Sequence, residues 1–303
     1  FADRDLVSVA PTWRLPRLSD VDAIAALARR APAGPWLYTG PIENHPGLVD
    51  RIGRFRPLWG NGGDVLRAVR SPSGVKAALD RAGLPCPAVR DRPDGLPRDG
   101  TWLVKPRASG GGRGIEPLGP ETRTVGEARY YQERIDGMPL SAVVLAAGGT
   151  CRLVALTEPR TGRPGAPFAY AGSVGPVTVK EPTLRVLEAQ AQALVAAFGL
   201  VGLFGIDLIV RDGVPWPVEV NPRYTASVEV VELALRRSLL GWHRRACEHG
   251  ELPADVPSWP LPARVVVGKA ILYADAARTW SSPAGWSPPR AVGFGLPRLA
   301  DVP

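Results

Sequence analysis

Gly205-Ile206-Asp207-Leu208-Ile209-Val210, then Asp212-Gly213, then Val218-Glu219-Val220-Asn221-Pro222-Arg223 read as a β-hairpin that carries chemistry. Residues 203–210 and 215–220 are apolar enough for strands, and Asp212-Gly213 is a tight-turn pair between them. Side chains alternate faces along a strand. Asp207 stands at the start of one strand and Glu219 near the end of its partner, so the two carboxylates can come side by side. Asn221 is two residues beyond Glu219 and projects from the same face. Two carboxylates and an amide oxygen make a hard oxygen set, suited to Mg²⁺ beside nucleotide phosphates. Arg223, next on that face, suits an anionic substrate or a transferring phosphoryl group. The competing reading is a solvated hairpin edge, in which three such groups set into apolar strands have no evident purpose.

The sequence just upstream imitates a membrane span. Residues 193–210 are apolar and carry a single charge, Asp207. Gly199, Gly202 and Gly205 punctuate the run, however. Leu184, Leu187, Ala191, Leu194, Val195 and Phe198 keep helical spacing before it. A helix over 178–198, a glycine turn and a strand are therefore expected. Further upstream, 141–147 and 150–157 read as antiparallel strands turned by Gly148-Gly149. Downstream, the pattern predicts one helix over 226–245, a Pro-rich connector over 252–262 and a strand over 265–273.

A second chemical feature precedes the hairpin. Trp102-Leu103-Val104-Lys105-Pro106 reads as a strand, followed by Arg107-Ala108-Ser109-Gly110-Gly111-Gly112-Arg113-Gly114-Ile115. Backbone N–H groups of such a loop can surround phosphate oxygens, and lysine adds a compact positive charge. The glycine spacing matches neither a P-loop nor a dinucleotide fingerprint. A plain surface loop is the alternative.

Residues 1–65 look like α/β material. Ser19 and Asp20 can cap a helix through Val21, Ile24, Leu27 and Ala28. Trp36-Leu37-Tyr38 reads as a strand ending at Gly40, Val49, Ile52 and Phe55 as a short helix, and 59–63 as a loop. A helix over 75–82 is stopped by Gly83 and Pro85.

Composition narrows the function class. Apolar content of 45% and charged content of 22% are those of an ordinary globular protein. The net charge of +8 raises nucleic acid as a partner, but the basic residues occur singly or in pairs such as Arg236-Arg237, with no basic block interleaved with aromatics. Neither nucleic acid nor membrane is expected as a partner. Only Lys76, Lys105, Lys180 and Lys269 are lysines, so the basic excess is arginine and each lysine is worth locating. Cys86, Cys151 and Cys247 are few and widely spaced, which disfavours a disulfide framework or a Cys/His zinc site. With no secretory leader read, a reducing, cytoplasmic setting is expected.

Taken in order, these pieces resemble the ATP-grasp superfamily over roughly residues 70–245. The pieces are Gly74-Val75-Lys76 with Gly83-Leu84-Pro85-Cys86-Pro87, the Val104-Lys105-Pro106 strand and glycine loop, and a hinge at Tyr131-Gln132-Glu133-Arg134-Ile135-Asp136-Gly137. Gly205-Ile206-Asp207 and Val218–Arg223 complete the set. The resemblance implies an α/β or α+β ATP-grasp fold preceded by a Rossmann-like α/β domain over 1–68. The ATP-grasp domain is expected over 69–250, with a small lobe at about 69–130 and a large lobe at about 131–250. A Pro-rich C-terminal β segment follows over 251–303. Phe1–Leu6 resembles the end of the first domain's second strand, so that domain is expected to be partial, and 300–303 look like an interruption.

The same resemblance implies ATP and Mg²⁺, or Mn²⁺ in its place, as cofactors. Lys76 and Lys105 would contact the ATP phosphates, helped by Ser109, Gly110, Gly111, Gly112 and Gly114. Gln132, Glu133 and Ile135 would meet adenine through the hinge. Asp207, Glu219 and Asn221 would hold the metal, and Arg223 with Lys105 would serve the chemistry. Where many members place a ribose-binding acid, this chain has Met138-Pro139-Leu140-Ser141, which leaves Glu133 and Ser141 as candidates. The implied activity is carboxylate–amine ligation through an acyl phosphate, on small-molecule substrates and in a homodimer. The alternatives are an ATP-grasp carboxylase or phosphotransferase, and a non-catalytic nucleotide-binding module. Trp59-Gly60-Asn61, 170–176 and Gly268-Lys269-Ala270 further resemble bacterial ATP-grasp proteins linked to tetrahydromethanopterin or methanofuran synthesis, akin to tyramine–glutamate ligase. That likeness would place the activity in C1-carrier cofactor biosynthesis.

Overall fold

The computed structural model describes residues 10–13, 15, 17, 19–122, 128–257, 259–260, 265–271 and 273. The expected features at 1–6 and 300–303, and most of the C-terminal segment, lie outside the described residues.

The first segment is helical. α1 (Val21–Arg30) is capped by Asp20, whose carboxylate accepts from Ala23 N at 2.9 Å. A 3₁₀ turn (Gly40–Asn44), α2 (Pro46–Gly53), α3 (Gly63–Val69) and α4 (Pro72–Arg81) follow. The strand expected at Trp36–Tyr38 is instead a pair of isolated parallel bridges, Trp36 with Leu58 and Thr39 with Tyr224. Pro35 and Pro41 bracket that stretch, and neither can donate to a strand ladder. α3 is an addition to the sequence expectation, because it starts inside the glycine run at 59–63.

β1 (Val89–Arg90), β2 (Trp102–Pro106), β3 (Glu116–Pro117) and β4 (Arg129–Glu133) form a four-stranded antiparallel sheet in the order β1-β4-β2-β3. β4 ends this sheet at Glu133, and the next sheet begins at Met138.

The larger sheet is built from β5 (Met138–Ala147), β6 (Thr150–Arg163) and β7 (Ala166–Val177). After α5 (Glu181–Phe198), β8 (Gly202–Arg211) and β9 (Val214–Asn221) complete it on one side. α6 (Ala226–Leu235), α7 (Leu240–His249) and the edge strand β10 (Val267–Ala270) follow. The order is β10-β7-β6-β5-β8-β9, antiparallel throughout. Antiparallel sheets with helices packed on their faces make this an α+β fold.

β5 sits at the centre and shows why the sheet is covered on both sides. Ala142, Val144 and Ala146 pack toward Leu187, Ala191 and Leu194 of α5. The intervening Val143, Leu145 and Ala147 pack toward Val228 and Val231 of α6 and Trp242 of α7. Leu187 and Leu194 are fully buried, and each such side chain contributes about 1.5–3 kcal/mol. Gly199 ends α5 in a left-handed conformation (φ 65°) that a Cβ would strain. The apolar run at 193–210 is thus helix, turn and strand, and among the described residues no helix is long and apolar enough to cross a membrane.

One further expectation changes, and one strand has none. The helix predicted over 226–245 is two helices, broken at Arg236, which has φ 53°. At the break Glu232 accepts from Leu239 N at 2.6 Å and from Ser238 Oγ at 3.3 Å, tying the end of α6 to the entry of α7. β7 has no clear alternation in sequence because Gly172, Gly175 and Pro176 interrupt it, yet it pairs with both β6 and β10.

Candidate active site

The hairpin β8–β9 places Asp207 opposite Glu219 and Gly205 opposite Asn221. Ser141 of β5 lies opposite Asp207 on the other side and donates to Asp207 Oδ1. Asn221 Nδ2 donates to Asp207 Oδ2 at 2.9 Å. Desolvation of the Asp207 carboxylate, followed by the neighbouring Glu219 charge, pushes its pKa up to about 6. Arg70 Nη1 donates to Glu219 Oε1 at 3.2 Å, and Arg223 Nη2 donates to Asn221 Oδ1 at 3.3 Å. The oxygens of Asp207, Glu219 and Asn221 thus gather on one sheet edge, each already held by a donor.

This donor set fits a divalent cation. The oxygens are hard, and two of the three residues are carboxylates set opposite each other across β8 and β9.

The small sheet faces this edge. Lys105 on β2 is buried, and its ammonium donates to Gln132 Oε1 at 3.0 Å and to Val218 O at 3.1 Å. Gln132 Nε2 donates to the same Val218 carbonyl at 3.3 Å. An open cleft lies between the sheets, and Lys105, Ser109, Gly110, Gly112, Gln132 and Glu219 all line it. Cys86 also lines it, and burial pushes its thiol up to about 12, which favours the protonated form.

The glycine loop bends over the cleft. Gly111, Gly112 and Gly114 have φ of 62°, 73° and 72°. Gly111 O accepts from Tyr170 N of β7 at 3.0 Å. At Gly112 glycine is required twice over, because a Cβ there would overlap Phe168 O. The Ser109 carbonyl accepts from Arg70 Nη2 at 3.1 Å.

Other expected residues are placed elsewhere. Lys76 does not line the cleft, and Asp80, one helical turn on, holds its ammonium at 2.7 Å. Gly111, Gly114, Glu133 and Ile135 lie beside the cleft without lining it. Glu133 Oε2 accepts from Ala88 N at 3.0 Å, and Ser141 is engaged with Asp207, so both ribose candidates have protein partners. Two residues absent from the sequence expectation stand at the centre. Arg70 lines the cleft just before α4. Glu43, in the 3₁₀ turn, accepts from Arg223 Nη2 at 2.9 Å. Burial raises the Glu43 pKa against the lowering effect of Arg223 and Arg70.

A family profile described as "ATP-grasp domain" matches residues 74–227. The chain belongs to the ATP-grasp family. Solved structures agree on the fold. An ATP-grasp superfamily protein from Archaeoglobus fulgidus is 20% identical, with a TM-score of 0.58 over 76% of this chain and 69% of that one. An L-amino acid ligase from Bacillus licheniformis is 16% identical, with a TM-score of 0.64 over 88% of this chain and 70% of that one. A biotin carboxylase from Campylobacter jejuni is 18% identical, with a TM-score of 0.63 over 78% of this chain and 59% of that one. A search of curated proteins returned no significant match. In this ATP-grasp protein the glycine loop and β9 both line the one cleft.

Proposed function

We propose that this ATP-grasp protein is an ATP- and Mg²⁺-dependent carboxylate–amine ligase. The observation that carries the reading is the meeting of Lys105 and the glycine loop with Glu219 on the walls of one cleft, with Asp207, Asn221 and Arg223 beside Glu219. Lys105 supplies positive charge at the phosphates, and the loop N–H groups cradle them. Bound Mg²⁺ would supply further charge neutralisation on the polyphosphate, held by Asp207, Glu219 and Asn221.

In the first step a substrate carboxylate oxygen attacks the γ-phosphorus, the bond to the β-phosphate oxygen breaks, and ADP leaves. An amine then attacks the acyl carbon, the amide C–N bond forms, and inorganic phosphate departs while the amine gives its proton to solvent. Arg223 would neutralise the anion formed at each stage. No enzyme nucleophile is required, because the acyl phosphate carries the activation, which agrees with the protonated Cys86. The narrower likeness to C1-carrier enzymes makes an acid or amine from that chemistry the first to test.

Purified protein with ATP, Mg²⁺ and paired acids and amines should release phosphate and ADP and form an amide. Lys105→Ala and Glu219→Ala should each lower the rate by about 10²–10³, the usual loss for a group that stabilises transition-state charge. Unchanged release in either variant would place the site elsewhere, and a carboxylated or phosphorylated product would assign a different reaction.

A further inference from the structure

Glu43 belongs to the segment before the ATP-grasp domain, yet it stands against the cation-type oxygens of β9. Its side chain is 1% exposed. Oε1 accepts from Arg223 Nη2 at 2.9 Å and lies 3.6 Å from Arg70 Nη1. Oε2 has no hydrogen-bond partner among the described residues. The same two guanidinium groups reach the other way, Arg70 to Glu219 Oε1 at 3.2 Å and Arg223 to Asn221 Oδ1 at 3.3 Å. Each arginine therefore straddles one oxygen of the metal set and the shared Oε1 of Glu43.

Arginine keeps its charge at any working pH. A divalent cation on Glu219 and Asn221 would compete with both guanidinium groups for the same oxygens. Arg70 keeps its Nη2 bonds to Asn44 Oδ1 and Ser109 O, and Arg223 keeps its Nη1 bond to Tyr224 O, so only the released N–H groups need a new acceptor, and Glu43 offers an unused carboxylate oxygen on the group both already face. A purely structural tether would not call for a charge, since taking even a paired carboxylate out of water carries a desolvation penalty that a neutral tether avoids. Neutral Asn61 already ties the same segment to the large sheet through Val201 and Pro222.

We propose that Glu43 is a positioning residue of the cation site: it draws Arg70 and Arg223 off Glu219 and Asn221 when a divalent cation binds. The segment preceding the family domain thereby completes the site. This rests on Asp207, Glu219 and Asn221 being the metal set.

The test titrates Mn²⁺ alone into the full chain, followed by water-proton relaxation, with thermal unfolding of each variant alongside. Wild type should bind Mn²⁺, and Glu219→Gln should lose it. Glu43→Gln should bind about tenfold more weakly, the scale seen when a group supporting metal ligands is removed. Adding Arg70→Gln to that variant should restore most of the affinity, because the guanidinium competing for Glu219 is gone. Wild-type affinity in Glu43→Gln, or no recovery in the double variant, overturns the proposal. If Glu43→Gln does not fold, Arg70→Gln alone decides: it should bind Mn²⁺ more tightly than wild type, and equal or weaker binding overturns the proposal. A wild type that fails to bind Mn²⁺, or a Glu219→Gln variant that binds it normally, instead overturns the metal set, and this role of Glu43 falls with it.

Discussion

Two seams meet the β8–β9 hairpin, and they are built from different materials. On one side, the helical first segment is joined by Asn61, which is 1% exposed. Its amide donates to Val201 O at 3.1 Å and to Pro222 O at 3.0 Å, while its Oδ1 accepts from Val201 N at 2.9 Å. Tyr38 OH donates to the Asn61 carbonyl at 2.7 Å, and His243 Nε2 meets Trp59 O at 3.2 Å. On the other side, the small sheet is joined by Lys105 and Gln132, both resting on the single Val218 carbonyl. That second seam lines the cleft.

The difference separates a fixed joint from a working one. Backbone groups at the Asn61 seam are matched one to one by neutral partners, so nothing is gained by moving them. The Lys105 seam puts a full positive charge on a neutral carbonyl, a weaker partner than a phosphate anion. Ligand binding should therefore rearrange the second seam and leave the first unchanged.

The largest expected effect breaks the fixed joint. Asn61→Leu leaves the Val201 N–H and two carbonyls buried without partners, which should destabilise the chain by about 3 kcal/mol. Urea unfolding measures this, and a loss under about 1 kcal/mol would mean that water replaces the amide and that the seam is not fixed.

A smaller stability effect, with a larger functional one, is expected on the working side. Gln132→Leu removes one acceptor from Lys105 but leaves its bond to Val218 O in place. Stability should change by about 1 kcal/mol or less, while ATP binding weakens about tenfold through the misplaced ammonium. Calorimetric titration with ATP and urea unfolding of the same preparation check both halves. A variant that loses stability as Asn61→Leu does, with ATP affinity intact, would erase the distinction between the seams.

How much of this can be read in the sequence depends on whether a residue's role is local. Asp207, Glu219 and Asn221 are legible only in part: alternation puts Glu219 and Asn221 on one face, but the two-residue turn alone would set Asp207 opposite Val218, and a bulge next to Asp207 brings Glu219 opposite it. The glycine loop is legible because its backbone demands glycine. Arg70 and Glu43 are not, since what they touch lies 149 and 180 residues away in the chain. Their local settings, before a Ser-Pro helix start and inside Gly-Pro-Ile-Glu-Asn, look like ordinary solvated positions. The rarity of lysine misses the difference between Lys105 and Lys76 for the same reason. In this structure Lys76 pairs with Asp80 at i+4, a local partner that residue rarity does not reveal. β7 is hidden because its glycines and proline answer to the neighbouring strands and the glycine loop rather than to its own periodicity.

The smallest effect tests the fixed joint with protons. His243 Nδ1 accepts from Leu203 N at 2.9 Å, and its Nε2 faces the Trp59 carbonyl, so the ring is held neutral with a single proton on Nε2. Burial lowers its pKa, partly opposed by the Trp59 contact. A depressed folded pKa means that the unfolded chain binds the second proton first. The stabilising arrangement is then complete above the unfolded pKa of about 6.5 and is lost as pH falls below it, with a slope of at most about 1.4 kcal/mol per pH unit. Other carboxylates titrate nearby, so the contribution is read as a difference between proteins. Wild type should lose more stability than His243→Gln between pH 7.5 and 5.5, both measured by urea unfolding. Equal losses would show that the imidazole already titrates freely, and the joint at Trp59 would then be as adjustable as the one at Val218.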